Sequence, residues 1–216
     1  MLSFLKPRQH EPVPKERAHS LFERYKWMSL FGVFIGYAAF YIVRNNFTLS
    51  TPQLKAALDL SKGQIGMLSS CLLIAYGLGK GVMSAWSDKA NPKRFMATGL
   101  IFCALLSMCL AFFGHSLWSL AIILILLGLF QGMGVGPSFI ILSTWFDKRQ
   151  RGFVASIWNT SHNLGGGLIS PLAGFMLGIV GASHWRFALY VFPALVAIAV
   201  ALIVLVFVKG RPEEEG

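Results

Sequence analysis

The chain has 216 residues, 55% hydrophobic and 13% charged, with a formal net charge of +10. That apolar fraction excludes an ordinary soluble globular domain. The net charge invites a polyanion such as nucleic acid, but the placement of the cations argues against one.

A run of about 20 apolar residues crosses the hydrocarbon core as a helix, and six such runs follow in chain order. Residues 1–26 come first, broken by Pro7, Pro12 and Pro14 and carrying Lys6, Arg8, Lys15, Arg17, Arg24 and Lys26. No apolar core with a small-residue cleavage site follows these charges, so the stretch reads as a cytoplasmic tail, not a secretory leader. The first span, 27–49, carries Arg44 and continues as a more polar stretch towards Pro52. On a helix, Tyr37, Tyr41 and Thr48 share the Arg44 face. The second span, 63–87, carries Lys80, with Leu73, Tyr76 and Ser84 on its face.

Asp88 then opens a short loop with Lys89, Lys93 and Arg94. An acid there can pair with a cation or cap a helix end, which suggests a structural or gating role; a solvated loop is the plain alternative. The third span is 95–114 and the fourth 117–146, where Gly128, Gly132, Gly134 and Gly136 precede Pro137 and predict a kink. A second basic loop holds Asp147, Lys148, Arg149 and Arg151. The fifth span, 152–180, places His162 with Trp158, Asn159 and Gly166, and runs through Gly165, Gly166 and Gly167 to Pro171. Close packing explains these glycines; a bending gate is the other reading. The sixth span is 187–208, and 209–216 begins a linker. The expectation is an all-α membrane protein: a six-helix bundle over 27–208, in two three-helix units with basic loops at matching places.

The 19 Lys and Arg are unevenly shared. Both terminal segments and the 88–94 and 147–151 loops hold most of them, whereas the opposite side has Lys55 and Lys62. Cytoplasmic loops collect positive residues, so both termini are expected in the cytoplasm. Basicity here records topology.

Arg44 and Lys80 are the unusual residues. A cation inside a bilayer is normally kept where a cavity or partner compensates it, yet all 9 acids (Glu11, Glu16, Glu23, Asp59, Asp88, Asp147, Glu213, Glu214 and Glu215) lie at ends or in loops. The missing counter-ion is then an anionic ligand. Arg offers a donor fork for phosphate or carboxylate, Lys a compact charge, and Tyr hydroxyls can complete the shell. Histidine as a residue type changes charge near neutral pH, so a bound phosphate could alter the protonation of one placed here. Snorkelling is the alternative for both cations, outward for Arg44 and inward towards Asp88 for Lys80. Depth also opposes a simple site, because on straight helices Arg44 lies high and Lys80 low. Cys71, Cys103 and Cys109 fall within spans and serve as small apolar residues. No metal cluster, phosphate-binding loop or nucleophile motif points to an enzyme, a metal or a cofactor.

Taken in order, GYAAFYIVRNNF at 36–47, AYGLGK at 75–80, SDKANP at 87–92, FQGMG at 130–134 and WNTSHNLGG at 158–166 resemble the organophosphate:inorganic phosphate antiporters of the major facilitator superfamily. The resemblance implies the fold of that superfamily's N-terminal half. It implies substrate contacts at Arg44, Lys80 and His162, with Tyr37, Tyr41, Tyr76, Trp158 and Asn159 around them, and the superfamily's loop motif at Asp88. Within the family the 44–52 stretch is similar to the branch that carries phosphoglycerates; the glycerol-3-phosphate and hexose-phosphate branches usually have Lys in place of Asn45. The implied function is uptake of an organophosphate, phosphoglycerate or phosphoenolpyruvate, in exchange for inorganic phosphate across a bacterial inner membrane by alternating access. A membrane sugar-phosphate sensor and an inactive truncated half-transporter are the alternatives. Twelve helices make up the family's fold, so the lipid bilayer and a missing C-terminal six-helix half are the implied partners, alongside the two anions.

Overall fold

The computed structural model describes residues 15–209, with side chains from 19 onwards; the expectations for 1–14 and 210–216 lie outside the described residues. Among the described residues every regular element is helical. Six helices are long and apolar enough to cross a membrane. They are α1 (Lys15–Leu58), α2 (Lys62–Ser87), α3 (Pro92–Phe113), a broken fourth span made of α4 (Leu117–Gln131) and α5 (Val135–Trp145), α6 (Arg151–Val180), and a sixth span ending in α7 (Phe192–Phe207).

Local chemistry fixes the turns. Asp59 takes the left-handed conformation (φ 49°) that closes helix ends, and the Leu60 amide donates back to the Lys55 carbonyl at 3.2 Å. Two residues on, Ser61 and Gln64 form a capping box that starts α2. Asn91 caps α3 through the Arg94 amide, with Pro92 at the first helical position. Gly181, at φ 82°, ends α6 where a side chain would be strained. Arg186 donates to the carbonyls of Leu110, Ala111 and Gly114 and so caps the C-terminus of α3.

The first helix differs from the sequence expectation at both ends. It begins at Lys15 rather than near 27 and runs through Pro52 to Leu58. Its early turns stay helical because Phe22 and Tyr25 stack on Trp145, Trp27 meets Phe146, and Lys26 pairs with Glu23. Just before the proline the Ser50 and Thr51 hydroxyls donate to the Phe47 carbonyl, and just past it Leu54 is fully buried. Burial there outweighs the lost backbone bond, which an isolated helix would not tolerate.

The expected break in the fourth span is present as a 3-10 turn, Gly132–Gly134. The sixth span opens with a π turn, Phe187–Val191. There the Tyr190 carbonyl accepts from Ser107 at 3.0 Å while the Tyr190 hydroxyl meets Ser50. Buried polar groups thus tie α1, α3 and the sixth span, satisfying one another where lipid offers nothing.

Helix pairing shows an internal repeat. α1 packs on α6 and α2 on α4; α1 packs on α7 and α3 on α4; α3 packs on α7. Exchanging the two three-helix units turns α1–α6 into α2–α4 and α1–α7 into α3–α4 and leaves α3–α7 as itself, as an inverted repeat requires. Both inner seams rest on glycine. A Cβ on Gly165 would lie 2.1 Å from the Ala38 carbonyl oxygen, and one on Gly132 would lie 2.4 Å from the Gly79 carbonyl carbon. These glycines are contact points between backbones, in keeping with the packing reading.

Candidate functional site

α1 and α6 run parallel and in register, since both lead from the terminal end of the bundle to the end that carries the 59–61 turn. Tyr37 meets Trp158 at 4.6 Å between ring centroids, and one turn on Tyr41 meets His162 at 5.3 Å. Tyr37 and Tyr41 stand 5.4 Å apart on the same helix face. Trp158 is held on its other side by Phe139 of α5, at 4.8 Å. Gly165 permits this closeness by letting the two backbones touch.

α2 arrives from the opposite direction. Arg44 and Tyr76 are equally far from the 59–61 turn, so they meet at one depth. The Arg44 guanidinium carbon lies 4.5 Å from the Tyr76 ring and 5.3 Å from that of Tyr41. Arg44, the three tyrosines, Trp158 and His162 thereby form one connected patch across α1, α2 and α6.

Magnitudes explain how a cation persists here. Placing Arg at the centre of a spanning helix costs about 2.5–3.5 kcal/mol on insertion scales. Two cation–π contacts return about 1–4 kcal/mol. Aromatic rings therefore hold Arg44 in place without consuming its donor fork, which stays available to an anion. Among the described residues neither Arg44, Lys80 nor His162 forms an ion pair. Trp158 adds a buried indole N–H with no hydrogen-bond partner among them.

Two of the expected residues stand apart. Lys80 is exposed, one turn or about 6 Å below Tyr76. The Cα–Cβ bond of a helical residue tilts towards the helix N-terminus, which for α2 is the Tyr76 side; Lys80 thus leans towards Arg44. Asn159 is exposed on α6. Asp88 is the C-cap of α2, its N–H donating to the Trp86 carbonyl. Lys89 and Ala90 continue the same tight turn through their amides. Lys93 and Arg94 fall in the first turn of α3.

The sequence reading missed Phe139 and Gln131. Gln131 is buried, donates to the Phe40 carbonyl at 3.1 Å and leaves its own carbonyl unpaired. Its signal was present, a lone amide in an otherwise apolar helix directly before the glycine break. Phe139 carries no such signal, since one more aromatic in a membrane span is unremarkable by pattern.

The coverage of the six spans is uneven. In their most apolar stretches α1 is 67% buried, whereas α2 is 22% and α6 is 17%. The open sides of α2 and α6 expose Lys80, Asn159, Thr160 and Asn163 beside Gly77, Gly81, Gly167 and Gly174.

A sequence profile of the Major Facilitator Superfamily matches residues 33–216. The chain is 54% identical over 217 residues to the phosphoglycerate transporter protein of Salmonella typhimurium, covering 100% of this chain and 47% of that protein. It is 34% identical over 220 residues to the glycerol-3-phosphate transporter of Bacillus subtilis, covering 100% and 49%. A membrane sensor protein of Escherichia coli is 31% identical over 221 residues, at 100% and 48% coverage. The chain thus spans about half the length of the curated relatives it matches. Among solved structures, a bacterial homologue of the human lysosomal transporter Spinster, inward-facing and unoccupied, superposes with a TM-score of 0.76 at 18% identity, covering 88% of this chain and 44% of that one. That likeness concerns the fold.

Proposed function

The chain belongs to the Major Facilitator Superfamily, a family of membrane transporters rather than enzymes, and on that premise we propose that it supplies one half of the phosphate-binding wall of an organophosphate transporter. The substrate is a phosphorylated three-carbon acid, phosphoglycerate before phosphoenolpyruvate, exchanged for inorganic phosphate by alternating access. The observation that carries this reading is Arg44, held by Tyr41 and Tyr76 with its donors unspent and no acid beside it among the described residues. Two anions competing for one cationic site give exchange without any further device. The similarity to the Salmonella phosphoglycerate transporter supports the substrate class.

Polar residues facing lipid are costly, so the open faces of α2 and α6 are covered by a second six-helix half that closes the cavity over Arg44 and Lys80. In proteoliposomes, the full-length protein, meaning this chain together with that proposed second half, is expected to exchange labelled phosphate for phosphoglycerate, and the 216-residue chain alone to exchange neither. Ligand binding by the full-length protein without exchange would favour the sensor reading, which the similarity to the sensor relative supports. Robust exchange by the 216-residue chain would overturn the need for a second half.

The basic loops at 88–94 and 147–151 support a topology with the terminal end in the cytoplasm, across a bacterial inner membrane. Reporter fusions at Lys209 should signal from the cytoplasm, and those in the 55–62 turn from the opposite side. A cytoplasmic signal from 55–62 would invert the topology.

A further inference from the structure

The α1–α6 seam does not close beyond the Tyr41–His162 pair. It opens into a cleft of about 430 Å³ lined by Asn45, Thr48, Leu49, Pro52, Gly166, Ile169 and Ser170. Asn45 and Thr48 follow Tyr41 at steps of four and seven, so the cleft continues the face that carries the aromatic patch. On α1 its lining runs from Asn45, next to Arg44, to Pro52, about 12 Å farther along the helix. A phosphate held on Arg44 would leave the organic end of a short ester reaching into it.

The chemistry of its wall is specific. Asn45, Thr48 and Ser170 bring neutral donors and acceptors, and none of the lining residues is charged. Pro52 lies inside α1 and Pro171 inside α6. Each proline lacks the N–H that would pair with the carbonyl four residues earlier. The carbonyls of Thr48 and Gly167 therefore lose their helical donors beside the cleft. Acceptor-rich and uncharged, the wall suits a group that donates hydrogen bonds. A carboxylate, which accepts only, gains less from it.

We propose that this cleft is the specificity compartment of the site and binds a hydroxyl on the carbon chain of the phosphate ester, with Thr48 and Ser170 as its side-chain contacts. The proposal rests on Arg44 binding phosphate as set out above. It adds that the hydroxyl next to the carboxylate, not the carboxylate itself, separates one three-carbon ester from another.

The test uses the full-length protein and measures displacement of labelled inorganic phosphate by three probes: inorganic phosphate, 3-phosphoglycerate and its 2-deoxy analogue. The unsubstituted protein should prefer 3-phosphoglycerate to the deoxy compound by about tenfold. Thr48→Val combined with Ser170→Ala should erase that preference and leave the affinity for inorganic phosphate unchanged. A preference that survives the double substitution, or an equal loss for all three probes, overturns the inference while Arg44 keeps its role. Failure of the unsubstituted protein to bind inorganic phosphate overturns the transport reading and the inference with it. As a second arm, Thr48→Cys should react with a charged, water-soluble thiol reagent, and 3-phosphoglycerate should protect it better than inorganic phosphate does. A cysteine that never reacts would place the cleft in lipid and refute the proposal.

Discussion

Replacing Arg44 by alanine in the full-length protein is expected to weaken phosphate binding by about 100-fold or more. A hydrogen bond to a charged group is worth about 1.5–3 kcal/mol, and a guanidinium fork makes two. Arg44 is also the group on which α1 and α2 meet, through Tyr41 and Tyr76. Arg44→Lys keeps the charge but loses the planar fork and its stacking, so it should recover only part of the loss. Lys80→Ala should cost less than Arg44→Ala, because Lys80 is exposed and must reach up one turn to join the site. Equilibrium binding of labelled phosphate orders the three variants, and thermal unfolding shows whether each still folds. Wild-type affinity in Arg44→Ala would remove Arg44 from the site and restore the snorkelling explanation.

The parts of this architecture that a sequence can announce are those set by the solvent. Six apolar runs, basic loops and charges without acids all follow from the cost of polar groups in lipid, and each is visible one residue at a time. Pairing of helices is different. Every span is apolar nearly all round, so no face periodicity says which neighbour it meets. Gly165 and Gly132 lay open in the sequence, but only their contacts with Ala38 and Gly79 reveal the seams they close. The depth conflict between Arg44 and Lys80 likewise could not be resolved on straight helices. The structure reduces it to one turn: Tyr76 stands level with Arg44, and Lys80 follows about 6 Å below. Residues 15–26 looked like a tail because their partners, Trp145 and Phe146, lie more than a hundred residues away. Pro52 looked like a stop for the same reason: the helix runs on past it because Leu54 is buried in the core of the bundle.

Gly165→Ala should damage the protein more than any comparable glycine change on the fifth span. The added Cβ would stand 2.1 Å from the Ala38 carbonyl oxygen and 2.8 Å from its carbon. Those atoms are backbone, so no side chain can swing aside, and the two helices must separate. Overpacking of this kind costs about 1–3 kcal/mol in a well-packed interior. The consequence for function is larger, because the Tyr37–Trp158 and Tyr41–His162 pairs sit on the same seam at 4.6 and 5.3 Å. Prising α1 from α6 opens both pairs and removes the packing of His162 that holds the Tyr41 ring against the Arg44 guanidinium. Gly152→Ala is the control: nothing lies within 4 Å of its Cβ, and exchanging glycine for alanine in a helix should be neutral or stabilising by up to about 1 kcal/mol. Thermal unfolding and phosphate binding read both variants. Gly165→Ala should lower the unfolding temperature and weaken binding together, while Gly152→Ala lowers neither. Equal behaviour of the two would mean that the α1–α6 seam has slack, and that the tyrosines do not need it closed to present Arg44.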